Sequence, residues 1–256
     1  AIPVGQPAPE APTAGLAPGY VQANLVGVPK DYAYDFLLFC QRNPKPCPLL
    51  EVIDAGAVAP RRLAPHADIR SDVPRYRVWI KGELTDEPTD VRAVWQDDFV
   101  SFLLGCSFSF EKPLLDAGLE VRYVSCGSNV SMYRTSIACR EGGPFAGPMG
   151  VSMRPFRPAD ALKATLITGT RPQVHGAPIH QGDPGAIGIA DIARPDYGDP
   201  QPIHEGEIPV FWACGVTPQA VLLNAKLPIA ITHAPGHMFV SDLRDEELPW
   251  FSESVR

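Results

Sequence analysis

Two histidines and an aspartate stand close together in residues 175–188, HGAPIHQGDPGAIG: His175, His180 and Asp183, among four glycines and two prolines. That density of chain breakers excludes a helix or a long strand. It predicts a stiff loop that fixes its side chains and lets the backbone approach a ligand. His175 and His180 are acid–base groups that titrate near neutral pH, and Asp183 can serve as an acid. A structural loop whose histidine and aspartate side chains bond nearby amides would use the same residues. His233 and His237 form a second imidazole pair, and the five residues together have the chemistry of metal ligands. Pro235 and Gly236 exclude the helical spacing with which two histidines four apart grip zinc, and no cysteine pair assists. No metal and no cofactor is expected, with a divalent metal as the second reading.

Other residues offer different chemistry. Cys214 is expected beside a helix N-terminus, which favours a thiolate, and Cys106 follows Gly105. Either reads as well as a small apolar core group, so Cys214 is taken as a pocket wall. Arg134 in MYRTS and Arg154 in SMRPF carry the planar fork that grips a carboxylate. Glu111, flanked by Phe108, Phe110 and Leu114, is the best candidate for a buried carboxyl group. Burial would raise its pKa and suit it to general-acid work. Asp97, Asp98 and the acidic residues of 242–247 read as solvated charge.

These groups need elements to hold them. Residues 208–237 read as strand (Ile208–Ala213), turn, helix to about Lys226, and a second strand at 229–232. Thr217 is placed at the N-cap and Pro218 at the first helical position. So short a unit predicts a right-handed parallel crossover, with ligands outside its strand ends at Cys214 and His233. Upstream, residues 1–19 form an extended arm. Strands are expected at 20–28, 49–53 and 75–80, and helices at 31–40, 91–104 and 113–117. Strands at 121–125, 131–139 and 149–154 then precede a helix at 158–167. The expected fold class is α/β: a layered core from 1–118 and 191–256, with a smaller α+β two-layer domain inserted at 119–190. The cleft between them is the expected site.

Bulk properties narrow the class. The 256 residues carry a net charge of −7 with no compensating basic block, which argues against nucleic acid as partner. Twenty-nine prolines spread along the chain predict many rigid turns. Six cysteines without a CxxC pair are expected to be reduced. No run reaches the roughly 20 apolar residues of a membrane span, and the first residues lack a signal peptide's pattern. A cytoplasmic protein is expected, with a small carboxylate substrate, no membrane partner, and room for a homodimer.

The stretches GLAPGYVQANL (15–25), DFLLFCQRNPKPCPLLEV (35–52), GCSFSFE (105–111), MYRTS (132–136), VSMRPF (151–156), HGAPIHQGDP (175–184), PVFWACGVTPQ (209–219) and THAPGHMFVSDL (232–243) run in order through nearly the whole chain. On them the sequence resembles the D-glutamate cyclase family, long described as hydro-lyases. The resemblance implies a two-domain arrangement and, from a mammalian mitochondrial relative, cyclisation of D-glutamate to 5-oxo-D-proline with loss of water. That reaction requires a base for the amine, an acid for the leaving oxygen and a cation for the α-carboxylate. Residue chemistry offers His175, His180 or His233 as base, and Glu111 or Asp183 as acid. Arg134 or Arg154 is the clamp, the helix end at Thr217 an oxyanion site, and Cys214 and His237 further contacts. The alternatives are a non-catalytic 5-oxoproline or glutamate binder and a metal-dependent (de)hydratase acting on another dicarboxylate.

Overall fold

The long strand β1 (Tyr20–Pro29) organises the molecule, because three strands pair with it. The computed structural model describes residues 11–248, so the first ten residues of the expected arm lie outside the described residues. After β1 come α1 (Lys30–Arg42), β2 (Leu49–Ile53), β3 (Tyr76–Ile80), β4 (Glu83–Asp86), β5 (Phe99–Gly105), α2 (Glu111–Asp116) and α3 (Arg122–Ser125). The chain continues through β6 (Ser131–Ala138), β7 (Pro148–Phe156), α4 (Pro158–Gly169), β8 (His180–Gln181), β9 (Ile208–Ala213), α5 (Thr217–Ala225), β10 (Ala230–His233) and β11 (Phe239–Arg244). Helices and strands are mixed around two sheets. The larger has the order β2-β5-β1-β10-β3-β4 with β11 also on β1, and the smaller the order β6-β7-β9-β8.

β5 covers one edge of β1 from Ala23 to Pro29. The other edge is shared: β11 pairs with its first half and β10 with its second. The loop from β10 to β11 therefore leaves the sheet midway along β1, and His237 stands on it. In the gap His233 supplies what the ladder lacks, its Nδ1 lying 3.2 Å from the Leu25 nitrogen.

Local chemistry explains most elements. α1 has Asp31 in its first turn and Arg42 in its last, in accord with the helix dipole. Phe36, Phe39 and Cys40 bury its inner face, and Asn43 ends it by donating from Nδ2 to the Phe39 carbonyl at 2.8 Å. Burying each phenylalanine contributes roughly 1.5–3 kcal/mol. Its N-cap position falls on Pro29, so Asp31 lies inside the turn instead of capping it.

Three expected elements are corrected. Residues 91–104 do not form a helix; 99–105 are a central strand. Phe99, Phe102 and Leu103 recur at helical spacing only because both faces of β5 are buried. Phe99 and Leu103 pack into the core on one side of the sheet, and Phe102 and Leu104 into the core on the other. Residues 122–125 are a short helix, not a strand. The unit β9–α5–β10 is no parallel crossover: β9 pairs antiparallel with β7 and β10 antiparallel with β1, in different sheets. The strand at 208–213, expected in the core unit, thus joins the sheet that also holds 131–138 and 148–156. Among the described residues no helix is long and apolar enough to cross a membrane, and all six cysteines are free.

Candidate active site

The two sheets meet at an open, polar cleft of about 460 Å³. The larger sheet contributes Arg75 and Arg77, and the β10–β11 loop contributes His237. Residues two apart on a strand share a face, so β3 and the residue before it present both guanidiniums together. Asn129, Asp196 and Tyr197 form the opposite wall. Tyr197 is tied to β6 by paired backbone bonds with Met132. Two glycines let the walls close. A Cβ on Gly198 would lie 1.9 Å from the Val130 carbonyl, and one on Gly236 2.5 Å from the Asn129 amide; both residues also have positive φ.

The two arginines are held differently. Arg77 Nε meets Glu87 Oε1 at 2.5 Å, its Nη1 donates to Gln219 Oε1 at 3.0 Å, and the Tyr197 ring lies beneath its guanidinium. Gln219 is wholly buried in α5 and donates from Nε2 to the His233 carbonyl at 3.1 Å, locking Arg77 to the sheet. Arg75 has no ion-pair partner among the described residues. An anchored cation beside an uncommitted one suits a ligand with two anionic ends.

His237 is half-buried, with Nδ1 3.1 Å from the Pro235 carbonyl. That acceptor places the ring proton on Nδ1 and leaves the Nε2 lone pair open. Burial lowers its pKa below the ordinary histidine value, and Arg75 and Arg77 push the same way. The ring is therefore neutral at neutral pH and equipped as a base. Glu87 and Asp196 supply negative charge. Beside the cleft, Arg134 lies over Tyr197 at 5.6 Å, donates from Nη2 to its hydroxyl at 3.2 Å, and is exposed.

A second, enclosed centre gathers other sequence candidates. Arg154 on β7 is wholly buried. Its Nη2 donates to Glu111 Oε1 at 3.2 Å, Tyr123 Oη at 2.8 Å and Ser107 Oγ at 3.1 Å, and its Nη1 to Ser152 Oγ at 3.0 Å. Phe110, Tyr123 and Trp212 surround the guanidinium at 4.9–5.4 Å. Burial pushes the Glu111 pKa up to about 8 against the pull of Arg154, so the expected buried acid is present. Burial likewise lowers Arg154.

Cys214 lies by this centre with its pKa raised, the reverse of the expected helix-end effect. Backbone N–H groups and Arg154 favour the thiolate there, but complete burial outweighs them. The N-terminus of α5 is itself buried, with Val216 at the N-cap position. Thr217 does not cap; its hydroxyl donates to the Cys214 carbonyl at 2.8 Å and accepts the Gly150 N–H at 2.9 Å.

The remaining candidates do not line this cleft and bond to backbone groups. His175 is buried at φ 81°, its Nδ1 2.8 Å from the Lys45 carbonyl, and burial takes its pKa down to about 4. His233, beneath the cleft, is likewise lowered to about 4. His180 bonds the Asp183 carbonyl at 2.6 Å, and the Asp183 carboxylate accepts the Gly185 N–H at 2.9 Å, so both serve their own turn. Among the described residues no three His, Cys, Asp or Glu side chains are grouped to hold a metal ion. The acidic run 242–247 is corrected at Asp245, which is buried with its pKa raised to about 6.

Of the residues in and behind this cleft, the sequence singled out His237 and not Arg75, Arg77, Glu87, Asn129, Asp196, Tyr197 or Gln219. The signal for the arginines was their shared face in RYRVWI, which reads equally as a solvated edge.

Comparison with known proteins agrees with the resemblance in the sequence. The D-glutamate cyclase family pattern matches residues 100–242. A protein of Stutzerimonas stutzeri is 59% identical over 239 residues, covering 93% of this chain and 90% of its own. One of Rubrobacter xylanophilus is 61% identical over 236 residues, covering 92% and 91%. Both bear the name "Putative hydro-lyase". The crystal structure of a nitrogen repressor-like protein of Methanococcus jannaschii aligns over 85% of this chain and 86% of its own. It does so at 10% identity and a TM-score of 0.35, too low to bear on the fold. On the family match and these identities, the chain belongs to the D-glutamate cyclase family.

Proposed function

We propose that this chain is a hydro-lyase acting on a small amino dicarboxylate in the cleft between the sheets, with D-glutamate cyclisation to 5-oxo-D-proline as its reaction. Family membership and the relatives' name support the hydro-lyase class. The observation that carries the site is the meeting of uncommitted Arg75, anchored Arg77 and neutral His237 around one polar cleft.

Arg75 binds the α-carboxylate, and Glu87 and Asp196 supply the charge that attracts the ammonium. Arg77 takes the γ-carboxylate and stabilises the oxyanion formed when nitrogen attacks its carbon. His237 Nε2 accepts a proton from the ammonium, freeing the nucleophile, and passes it to the departing oxygen. The balance closes within the substrate. The nitrogen gives up two protons, the carboxylate gives up one oxygen, and these leave as water when the amide bond forms. As written, the reaction calls for no cofactor.

The test is incubation with D-glutamate, L-glutamate and other dicarboxylates, with 5-oxoproline followed by NMR. Arg75→Met is expected to lower kcat/KM by about 10–100-fold, the loss of one charge-assisted bond. Turnover within about threefold of the unsubstituted chain removes Arg75 from the reaction. If the unsubstituted chain is stabilised by D-glutamate without converting it, the protein is a binder. Loss of turnover with chelator would assign the reaction to a metal.

Gln219→Leu separates positioning from chemistry. Without its Oε1, Arg77 keeps Glu87 but loses its tie to the sheet, so KM is expected to rise about tenfold while kcat falls less. Steady-state kinetics read this directly, and an unchanged KM would show that Glu87 alone orients Arg77.

A further inference from the structure

A second cavity, of about 380 Å³, shares no lining residue with the cleft. It lies where residues 15–20 fold against α2 and α3, and its size is that of a small-molecule site. Leu16, Phe108, Leu115 and Val124 give it apolar walls. Gln22 and Glu111 also line it, and both are more than nine-tenths buried.

These two residues present acceptors that the protein does not use. Gln22 donates from Nε2 to the carbonyls of Thr13 and Leu16, both at 3.1 Å, which fixes which way its amide faces. Its Oε1 is buried without a partner. Glu111 Oε1 accepts from Arg154, while its Oε2 accepts no hydrogen bond from the described residues. Buried acceptors are normally satisfied, so the unpartnered Gln22 Oε1, with a carboxyl group lining the same cavity, marks a place for a donor. The cation at the rim, Lys112, is already paired with Asp116, and Arg154 is committed to four oxygens. Nothing there calls for an anion.

We infer that this cavity is a second ligand site for a small apolar primary amine, its ammonium group held between Gln22 Oε1 and the Glu111 carboxylate and its hydrocarbon body against the apolar walls. An ammonium has three donors for two acceptors and a charge that an alcohol lacks. Because burial keeps Glu111 largely protonated at neutral pH, the arriving ammonium displaces that proton to the solvent. This site stands apart from the cleft reading and does not depend on it.

Benzylamine is the probe, with benzyl alcohol as its uncharged match. They are titrated calorimetrically into the full chain at pH 7 in two buffers of different ionisation heat. The amine is expected to bind saturably, roughly tenfold or more tighter than the alcohol, with release of about one proton per site. Glu111→Gln should weaken it about tenfold and end the proton release. Leu16→Trp, on a partly exposed wall residue that a larger ring would turn into the cavity, should abolish binding without altering the melting temperature. Equal binding of amine and alcohol, no binding, or binding that survives Leu16→Trp overturns the inference.

Discussion

Replacing His237 with asparagine is expected to lower kcat for D-glutamate by about 10²–10⁴, the usual loss when one acid–base group is removed. Asparagine keeps a donor near the Pro235 carbonyl, to which His237 Nδ1 is bonded at 3.1 Å, so the loop need not move. It lacks the Nε2 lone pair. KM should change little, because in the proposed reaction Arg75 and Arg77 hold the carboxylates. The pH profile gives a second readout. The folded pKa of His237 lies below its ordinary value, through burial and the two arginines. The base form therefore persists to lower pH than a free imidazole would allow. The acid limb of kcat/KM should fall below the ordinary histidine range in the unsubstituted chain and be missing in the variant. Turnover within a factor of a few, or an unchanged acid limb, would exclude His237 as the base.

How much of this was legible in the sequence depends on the range of the interaction. β1, α1, β7 and α4 were readable because capping residues, proline stops and burial patterns act within a few positions. β5 was not, since a strand buried on both faces imitates the apolar spacing of a helix. β9 and β10 were each found, but their sheet partners were not: pairing depends on strands from about 50 to more than 200 positions away, about which local pattern is silent. The cleft shows the same divide. His237 stands out by residue type, whereas Arg75 and Arg77 come to line a polar cleft only beside Tyr197 and Gln219, more than 100 residues distant. Gln219 in a helix reads as a residue facing solvent, and only its burial reveals its two bonds. Glu111 was predictable because its phenylalanine neighbours are adjacent in sequence. Cys214 misled because its helix end, correctly anticipated, is covered by other parts of the chain.

The buried centre carries the largest expected effect on stability. Arg154→Met removes the cation and leaves Glu111 in an apolar enclosure of Phe110, Tyr123 and Trp212, with Ser107, Ser152 and Tyr123 deprived of their donor. Glu111 is largely protonated at neutral pH, so the cost is that of buried acceptors left without a donor, about 1–3 kcal/mol each, and a loss of about 3–5 kcal/mol is expected in urea unfolding at pH 7. Adding Glu111→Gln to Arg154→Met should change this loss little at pH 7, where Glu111 is already neutral, and recover part of it above pH 8, where the lone carboxylate would otherwise have to ionise. The pH dependence has a definite sign. The folded chain keeps a proton on Glu111 up to about pH 8, whereas the unfolded chain releases it near 4.5. Folding therefore takes up a proton between these values, and stability contributed by this group falls as pH rises through the window, by up to about 1.4 kcal/mol per pH unit. Asp245, raised to about 6, adds a smaller slope of the same sign at the lower end. Glu111→Gln removes the larger slope, so its unfolding free energy should decline less between pH 6 and 8 than that of the unsubstituted chain. A loss below about 1 kcal/mol for Arg154→Met, or parallel pH profiles for Glu111→Gln and the unsubstituted chain, would mean that the enclosure admits enough water to solvate the orphaned acceptors and the Glu111 carboxylate, because only desolvation sets the size and sign of these effects.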